Sequence, residues 1–202
     1  MDTARAVVAL LVLIALPPGL LLWIAIHPFA RHWRRLGAAA TYAILAVPCG
    51  LLMGAAWSGR RWLLAVDFGT SWPLVAAAAA CLVAVGVIAR RRGRLLTFGV
   101  LAGLPELSPA RYPGRLLTTG IYGRIRHPRY VEVLLWTLGY ALFSNHLVLY
   151  VAWLLALPVV GLIVRLEERE LLERFGLAYA EYARRVPRFL PRRVGGAGPG
   201  AS

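Results

Sequence analysis

The chain has 202 residues, 59% of them hydrophobic and 16% charged, with a mean hydropathy of +0.65, a balance too apolar for an ordinary soluble domain of this size. The net charge is +14, and all 23 basic residues are arginine. They flank apolar stretches instead of forming a soluble basic face, so they read as topogenic charge beside anionic lipid, and nucleic-acid binding is set aside.

Five apolar segments follow in chain order: Ala6 to Ile26, Gly37 to Trp57, Trp72 to Ala89, Tyr130 to Phe143 and Leu147 to Leu166. A crossing needs roughly 20 apolar residues. The fourth is the weakest, because its apolar core is brief and it carries Glu132. The first resembles a signal peptide at its start, but it runs on through Pro17-Pro18-Gly19 without a cleavage site and is read as a retained span. Ser144-Asn145-His146 is so short a turn that the fourth and fifth segments must form an antiparallel hairpin.

Arginine placement tests this layout. With the N-terminus outside, Arg31, Arg34 and Arg35, nine arginines from Arg90 to Arg129 and eight from Arg165 to Arg193 fall inside, leaving Arg5, Arg60 and Arg61 outside. That bias requires an odd number of spans. The expected fold is therefore all-α: a bundle of about five transmembrane helices, N-out and C-in, with an interfacial C-terminal segment. Residues 1–194 form one domain, with the chemistry in about 95–191, and residues 195–202 are a disordered Gly/Pro tail. Arg-only usage with abundant Ala and Gly points to a GC-rich bacterial genome, hence a bacterial inner membrane. Cys49 and Cys81 sit in apolar runs without metal-ligand spacing, so no metal is expected.

Two polar features fall at the inner boundary. The first is Gly120-Ile121-Tyr122-Gly123-Arg124-Ile125-Arg126-His127-Pro128-Arg129-Tyr130, where Pro128 suits the first position of the fourth helix. A helix start there aims free N–H groups at a carboxylate or phosphate; equally, Arg126 and Arg129 snorkel and His127 caps the helix. The second is Glu167-Glu168, adjacent carboxylates where a span ends. Either they pair with Arg165 and Arg169 on a solvated face, or they accept hydrogen bonds from a ribose diol or hold a ligand cation. The hairpin brings the two features together into one polar pocket. Beyond them, Leu171, Leu172, Phe175, Tyr179, Tyr182 and Val186 recur at helical spacing, with Gly176 placed to end one helix and let the rest fold back, as a surface anchor or as a cover for the pocket.

Taken together, Gly-Ile-Tyr at 120–122, Arg-His-Pro-Arg-Tyr at 126–130, Glu167-Glu168, Phe175-Gly176 with Tyr179 and Tyr182, and Val186-Pro187-Arg188-Phe189-Leu190-Pro191 resemble the membrane methyltransferases typified by isoprenylcysteine carboxyl methyltransferase and the phospholipid N-methyltransferases. The resemblance covers roughly Leu116 to Pro191, with an echo in Leu104-Pro105-Glu106-Leu107-Ser108-Pro109. It implies S-adenosylmethionine in a cytosol-facing pocket, bound by Gly120, Tyr122, Arg126, His127, Pro128, Tyr130, Glu167 and Glu168, and a lipophilic acceptor arriving from the membrane lipids: a prenylcysteine carboxylate, a phospholipid amine or an isoprenoid-like molecule. Arg126, Glu132 and Arg188 are the candidates for a catalytic role. Glu132 departs from the pattern, standing where relatives usually have a small residue. The alternatives are an NADPH-dependent sterol-type reductase, which resembles this chain around Arg-His-Pro-x-Tyr but usually continues with Gly-Glu where Val131-Glu132 stands here, and a non-catalytic membrane accessory protein.

Overall fold

A computed structural model of the chain describes residues 1–26, 29–93 and 116–191. The echo at 104–109 and the Gly/Pro tail at 195–202 lie outside the described residues. The architecture is all-helical: α1 (Asp2–Ile26), α2 (Ala30–Leu36), α3 (Ala38–Ser58), α4 (Arg60–Leu63), α5 (Trp72–Gly93), a 3-10 turn (Gly120–Gly123), α6 (Pro128–Ser144), α7 (Leu147–Phe175) and α8 (Leu177–Arg185). Among the described residues the one β-type pairing is an isolated bridge between Asp67 and His146.

Four helices, α1, α3, α5 and α7, are long and apolar enough to cross a membrane, and the chain is an integral membrane protein. The fourth segment of the sequence reading is the exception, for α6 has only 17 residues. The reason is its position. α6 packs against α5, α1 and α7, while α1 also packs against α3 and α7, so α6 lies inside the bundle and needs little lipid-facing hydrophobic surface. It buries Thr137, Gly139, Ala141 and Ser144 instead, and small residues let helix backbones approach closely in a membrane. A Cβ on Gly139 would sit 3.3 Å from Cys81 Cβ and 3.4 Å from the Ala78 carbonyl oxygen of α5.

The ends of α6 match the ends of α1. At one end Arg5 Nε donates to the Ser144 carbonyl over 3.0 Å; at the other, the Trp23 and Tyr130 rings meet edge to face with centroids 5.3 Å apart. α6 therefore runs antiparallel along the stretch of α1 between Arg5 and Trp23, about 27 Å of helix. Arg5, which the charge count treats as one more outside charge, is fully buried. It pairs with Asp67 and, over 2.9 Å, with Asp2.

The predicted hairpin turn forms at Asn145, which takes the left-handed conformation (φ 55°) that ends α6 and returns its N–H to the Ala141 carbonyl. Asn tolerates that geometry better than most residues. The turn is fixed further by Asn145 Nδ2 donating to the Gly69 carbonyl and by Tyr150 Oη donating to Asn145 Oδ1. Trp153 of α7 donates its indole N–H to the Leu134 carbonyl of α6, securing the hairpin along its length.

Candidate functional site

α7 continues as one helix from the apolar hairpin to Phe175, so Glu167 and Glu168 ride on a rigid extension of the bundle. Gly176 then takes φ 53° and ψ −128°, a conformation that favours glycine, and reverses the chain into α8. The fold-back predicted at this glycine is thus realised. Tyr179, Tyr182 and Val186 are buried in one cluster with Leu116, Leu171 and Phe175, so the apolar stripe of the C-terminal segment packs on the protein's own chain. Tyr182 Oη donates to the Tyr122 carbonyl over 2.7 Å, pinning the 3-10 turn.

The two polar features of the sequence meet here. The segment after α8 lies against the one before α6: the Arg126 N–H donates to the Pro187 carbonyl over 2.8 Å and the His127 N–H to the Arg188 carbonyl over 3.0 Å. Pro128 is the first residue of α6, as its missing N–H predicts, and His127 precedes it in a non-helical conformation without a side-chain capping bond. The imidazole is instead directed at the carboxylates. His127 Nε2 lies 3.1 Å from Glu168 Oε1 and Nδ1 lies 3.6 Å from Glu167 Oε2. Arg126 Nη2 approaches Glu168 Oε1 at 3.2 Å. Arg188 closes the cluster, its Nη2 2.6 Å from Glu168 Oε2 and its Nε 3.1 Å from both oxygens.

The Glu168 partners therefore come from the start of α6 and the segment after α8, not from Arg165 or Arg169 beside it. His127 is buried, which by itself disfavours its charged form; hydrogen bonds to Glu167 and Glu168 outweigh this and raise its pKa above the usual imidazole value. The Arg188 guanidinium is likewise held more firmly protonated by its hydrogen bonds to Glu168. Burial raises the Tyr122 and Tyr179 phenols, and it pushes Tyr182 up to about 12, so all three hydroxyls are neutral donors at ordinary pH.

Of the sequence-derived candidates, Arg126, His127, Glu167, Glu168 and Arg188 form this cluster. Tyr130 joins it through its ring, 5.8 Å from that of His127, and Phe189 lies 6.2 Å from the same ring on the other flank. Pro128 is buried beneath it. Gly120 sits on the 3-10 turn with φ 61°, exposed and shaping the loop that carries Tyr122. Glu132 is not in the cluster: both its oxygens are gripped by Arg92 from the end of α5, at 2.7 and 2.8 Å. Arg92 is the residue that sequence reading missed. It is one of three consecutive arginines closing α5, and a partner 40 residues away leaves no local signal.

The polar inventory at this end is incomplete in a telling way. Among the described residues, Arg92 Nη1 and Arg126 Nε are buried side-chain atoms without a hydrogen-bond partner, and Tyr179 Oη stands beside Arg126 at the same end of the bundle. Buried polar atoms are nearly always paired, so two such atoms at one end set it apart from the rest of the bundle.

A sequence profile of the family described as "Phospholipid methyltransferase" matches residues 72–178. The chain belongs to that family. The match includes α5, α6, α7 and the start of α8, and hence the Glu168 cluster apart from Arg188. Over 111 residues, 48% of this chain, it is 43% identical to half (50%) of the cobalt-zinc-cadmium resistance protein CzcN of Cupriavidus metallidurans. Over 77 residues, 38% of the chain, this family member is 34% identical to a third (33%) of the protein-S-isoprenylcysteine O-methyltransferase of Schizosaccharomyces pombe. The matched stretches span half or less of those relatives. No solved structure matches the chain.

Proposed function

We propose that the protein transfers a methyl group from S-adenosylmethionine to a lipophilic acceptor, in a pocket at the cytoplasmic face of a bacterial inner membrane, on a five-span N-out, C-in bundle. The carrying observation is the convergence of His127, Arg126 and Arg188 on Glu168 beside buried atoms that lack partners. Family membership supplies the reaction class, and the arginine bias supplies the orientation. The match between the ends of α6 and α1 supports counting α6 as the fifth span.

These residues fit the cofactor's chemistry. Arg126, with Nε unspent, suits its carboxylate; Glu167 and Glu168 suit its ribose hydroxyls and ammonium group; the His127, Tyr130 and Phe189 rings offer aromatic faces to adenine. S-adenosylmethionine supplies an activated methyl whose leaving sulfur needs no proton. The protein's task is then to position and to exclude water, and a rigid α7 with a folded-back α8 does both. The hydrogen bonds to Glu167 and Glu168 favour the protonated imidazole, and they hold the ring against the two carboxylates.

The test is incubation of membranes containing the protein with methyl-labelled S-adenosylmethionine. Label that extracts with lipid or with a prenylated species, and is lost in His127→Ala, supports the proposal. No transfer, with stabilisation by NADPH in place of S-adenosylhomocysteine, would overturn it in favour of a reductase.

A further inference from the structure

Three arginines close α5, and they do not share a role. Arg90 and Arg91 are exposed, whereas the Arg92 side chain is turned inward and only 11% exposed. Glu132 takes Nε and Nη2 in a bidentate fork, which fixes the guanidinium plane and leaves Nη1 buried with no partner among the described residues. A carboxylate that served only to neutralise the arginine would not require the third nitrogen to be withheld from water. Arg92 is also near the proposed cofactor pocket. Its charge is felt at the Tyr122 phenol, as are those of Glu167 and Glu132, and α5 packs against the 3-10 turn that carries Tyr122. The forked guanidinium thus stands at the end of an apolar helix, held by a carboxylate one turn into α6 from the His127 end, with one nitrogen free to donate.

We infer that Arg92, oriented by Glu132, binds an anionic oxygen of the methyl acceptor: the phosphodiester of a phospholipid or the carboxylate of a prenylated cysteine. This rests on the methyltransferase reading. Glu132 is here a positioning residue, its charge spent on Arg92, and Arg92 is the specificity contact. An acceptor with such an oxygen is held by its polar group at the interface while its hydrocarbon stays among the helices. Because the fork cancels most of the arginine's net charge, an acceptor is recognised by directed hydrogen bonding more than by long-range attraction, so added salt weakens it little.

The experiment is steady-state methyl transfer by the full chain in lipid nanodiscs, with dioleoyl phosphatidylethanolamine and N-acetyl-farnesylcysteine offered separately. Heat stabilisation by S-adenosylhomocysteine is recorded for every variant. For whichever acceptor is methylated, Arg92→Gln is expected to raise the acceptor KM about tenfold or more. The cofactor KM and the S-adenosylhomocysteine shift should stay near the wild-type values. The double variant Arg92→Met/Glu132→Met guards against mere misfolding: replacing a buried pair by apolar residues restores stability, yet the acceptor KM should remain high. An acceptor KM at the wild-type value in that double variant would assign the pair a purely structural role and overturn the inference. Methylation of neither acceptor by a protein that S-adenosylhomocysteine stabilises would overturn it as well. Absence of that stabilisation in the wild type would instead defeat the underlying methyltransferase reading.

Discussion

The two ends of the bundle each bury an arginine against carboxylates, and they differ in how completely the polar groups are satisfied. At the Arg5 end the guanidinium reaches the Ser144 carbonyl, Asp2 and Asp67, Asn145 holds Gly69, and Ser144 Oγ meets His146 Nδ1 at 2.7 Å. This network ties helix ends to the loop before α5. At the Glu168 end, charges from three separate segments converge and yet Arg126 Nε and Arg92 Nη1 are left over. A closed polar network rigidifies a fold, while a network with buried atoms to spare is shaped for something else to complete it.

The largest effects should come from breaking each network in turn. Glu168→Gln leaves the buried Arg126 and His127 against a neutral amide, so a loss of about 3 kcal/mol or more in stability is expected by denaturation in detergent. Arg5→Met should cost less, at most about 3 kcal/mol, since its partner Asp67 is 37% exposed and can be hydrated once released. Equal losses at the two ends would remove the asymmetry.

Packing supplies the next effect. Gly139→Leu forces a side chain into the α5–α6 contact and should cost about 1–3 kcal/mol without respect to either polar network. If it is neutral, the close approach of these helices is misplaced.

One group at each end has a stated pH dependence. The His127 pKa is raised on folding, so its contribution is full below the ordinary imidazole value of about 6.5 and is lost as pH rises through the higher folded value. Asp67 moves the other way. Burial opposes its ionisation, but the Gly69 N–H and Arg5 outweigh this and lower its pKa; its contribution is present above the ordinary value of about 3.9 and is lost as pH falls through the lower folded one. Thermal melts should therefore lose stability on the alkaline side through His127 and on the acid side through Asp67. His127→Gln should flatten the alkaline limb. A further effect, about 2 kcal/mol or more, is expected for Asn145→Ala, which puts a less tolerant residue in the left-handed turn and removes its hydrogen bonds with Gly69 and Tyr150.

Much of this arrangement was legible before any coordinates. Hydropathy marked α1, α3, α5 and α7 because lipid demands apolar surface all round, and Ser144-Asn145-His146 marked the hairpin that brings His127 to Glu168. Pro128 and Gly176 announced a helix start and a chain reversal through their own backbone chemistry. What stayed hidden depends on contacts between distant segments. The hydropathy of α6 is weak because neighbouring helices pack around it. Arg5 and Arg92 looked like ordinary boundary charges because their carboxylates, Asp67 and Glu132, lie 62 and 40 residues away. The Arg188 contact with Glu168 required the fold-back of α8, which the glycine permits but does not aim.

The most direct measurement is heat stabilisation of the purified protein by S-adenosylhomocysteine, compared across wild type, Arg5→Met and Glu168→Gln under one set of conditions. The account predicts a clear shift in the wild type, the same shift added to a lower starting temperature in Arg5→Met, and none in Glu168→Gln although that variant still melts cooperatively. A full shift in folded Glu168→Gln, or its loss in folded Arg5→Met, would contradict the assignment of the ligand to the Glu168 end.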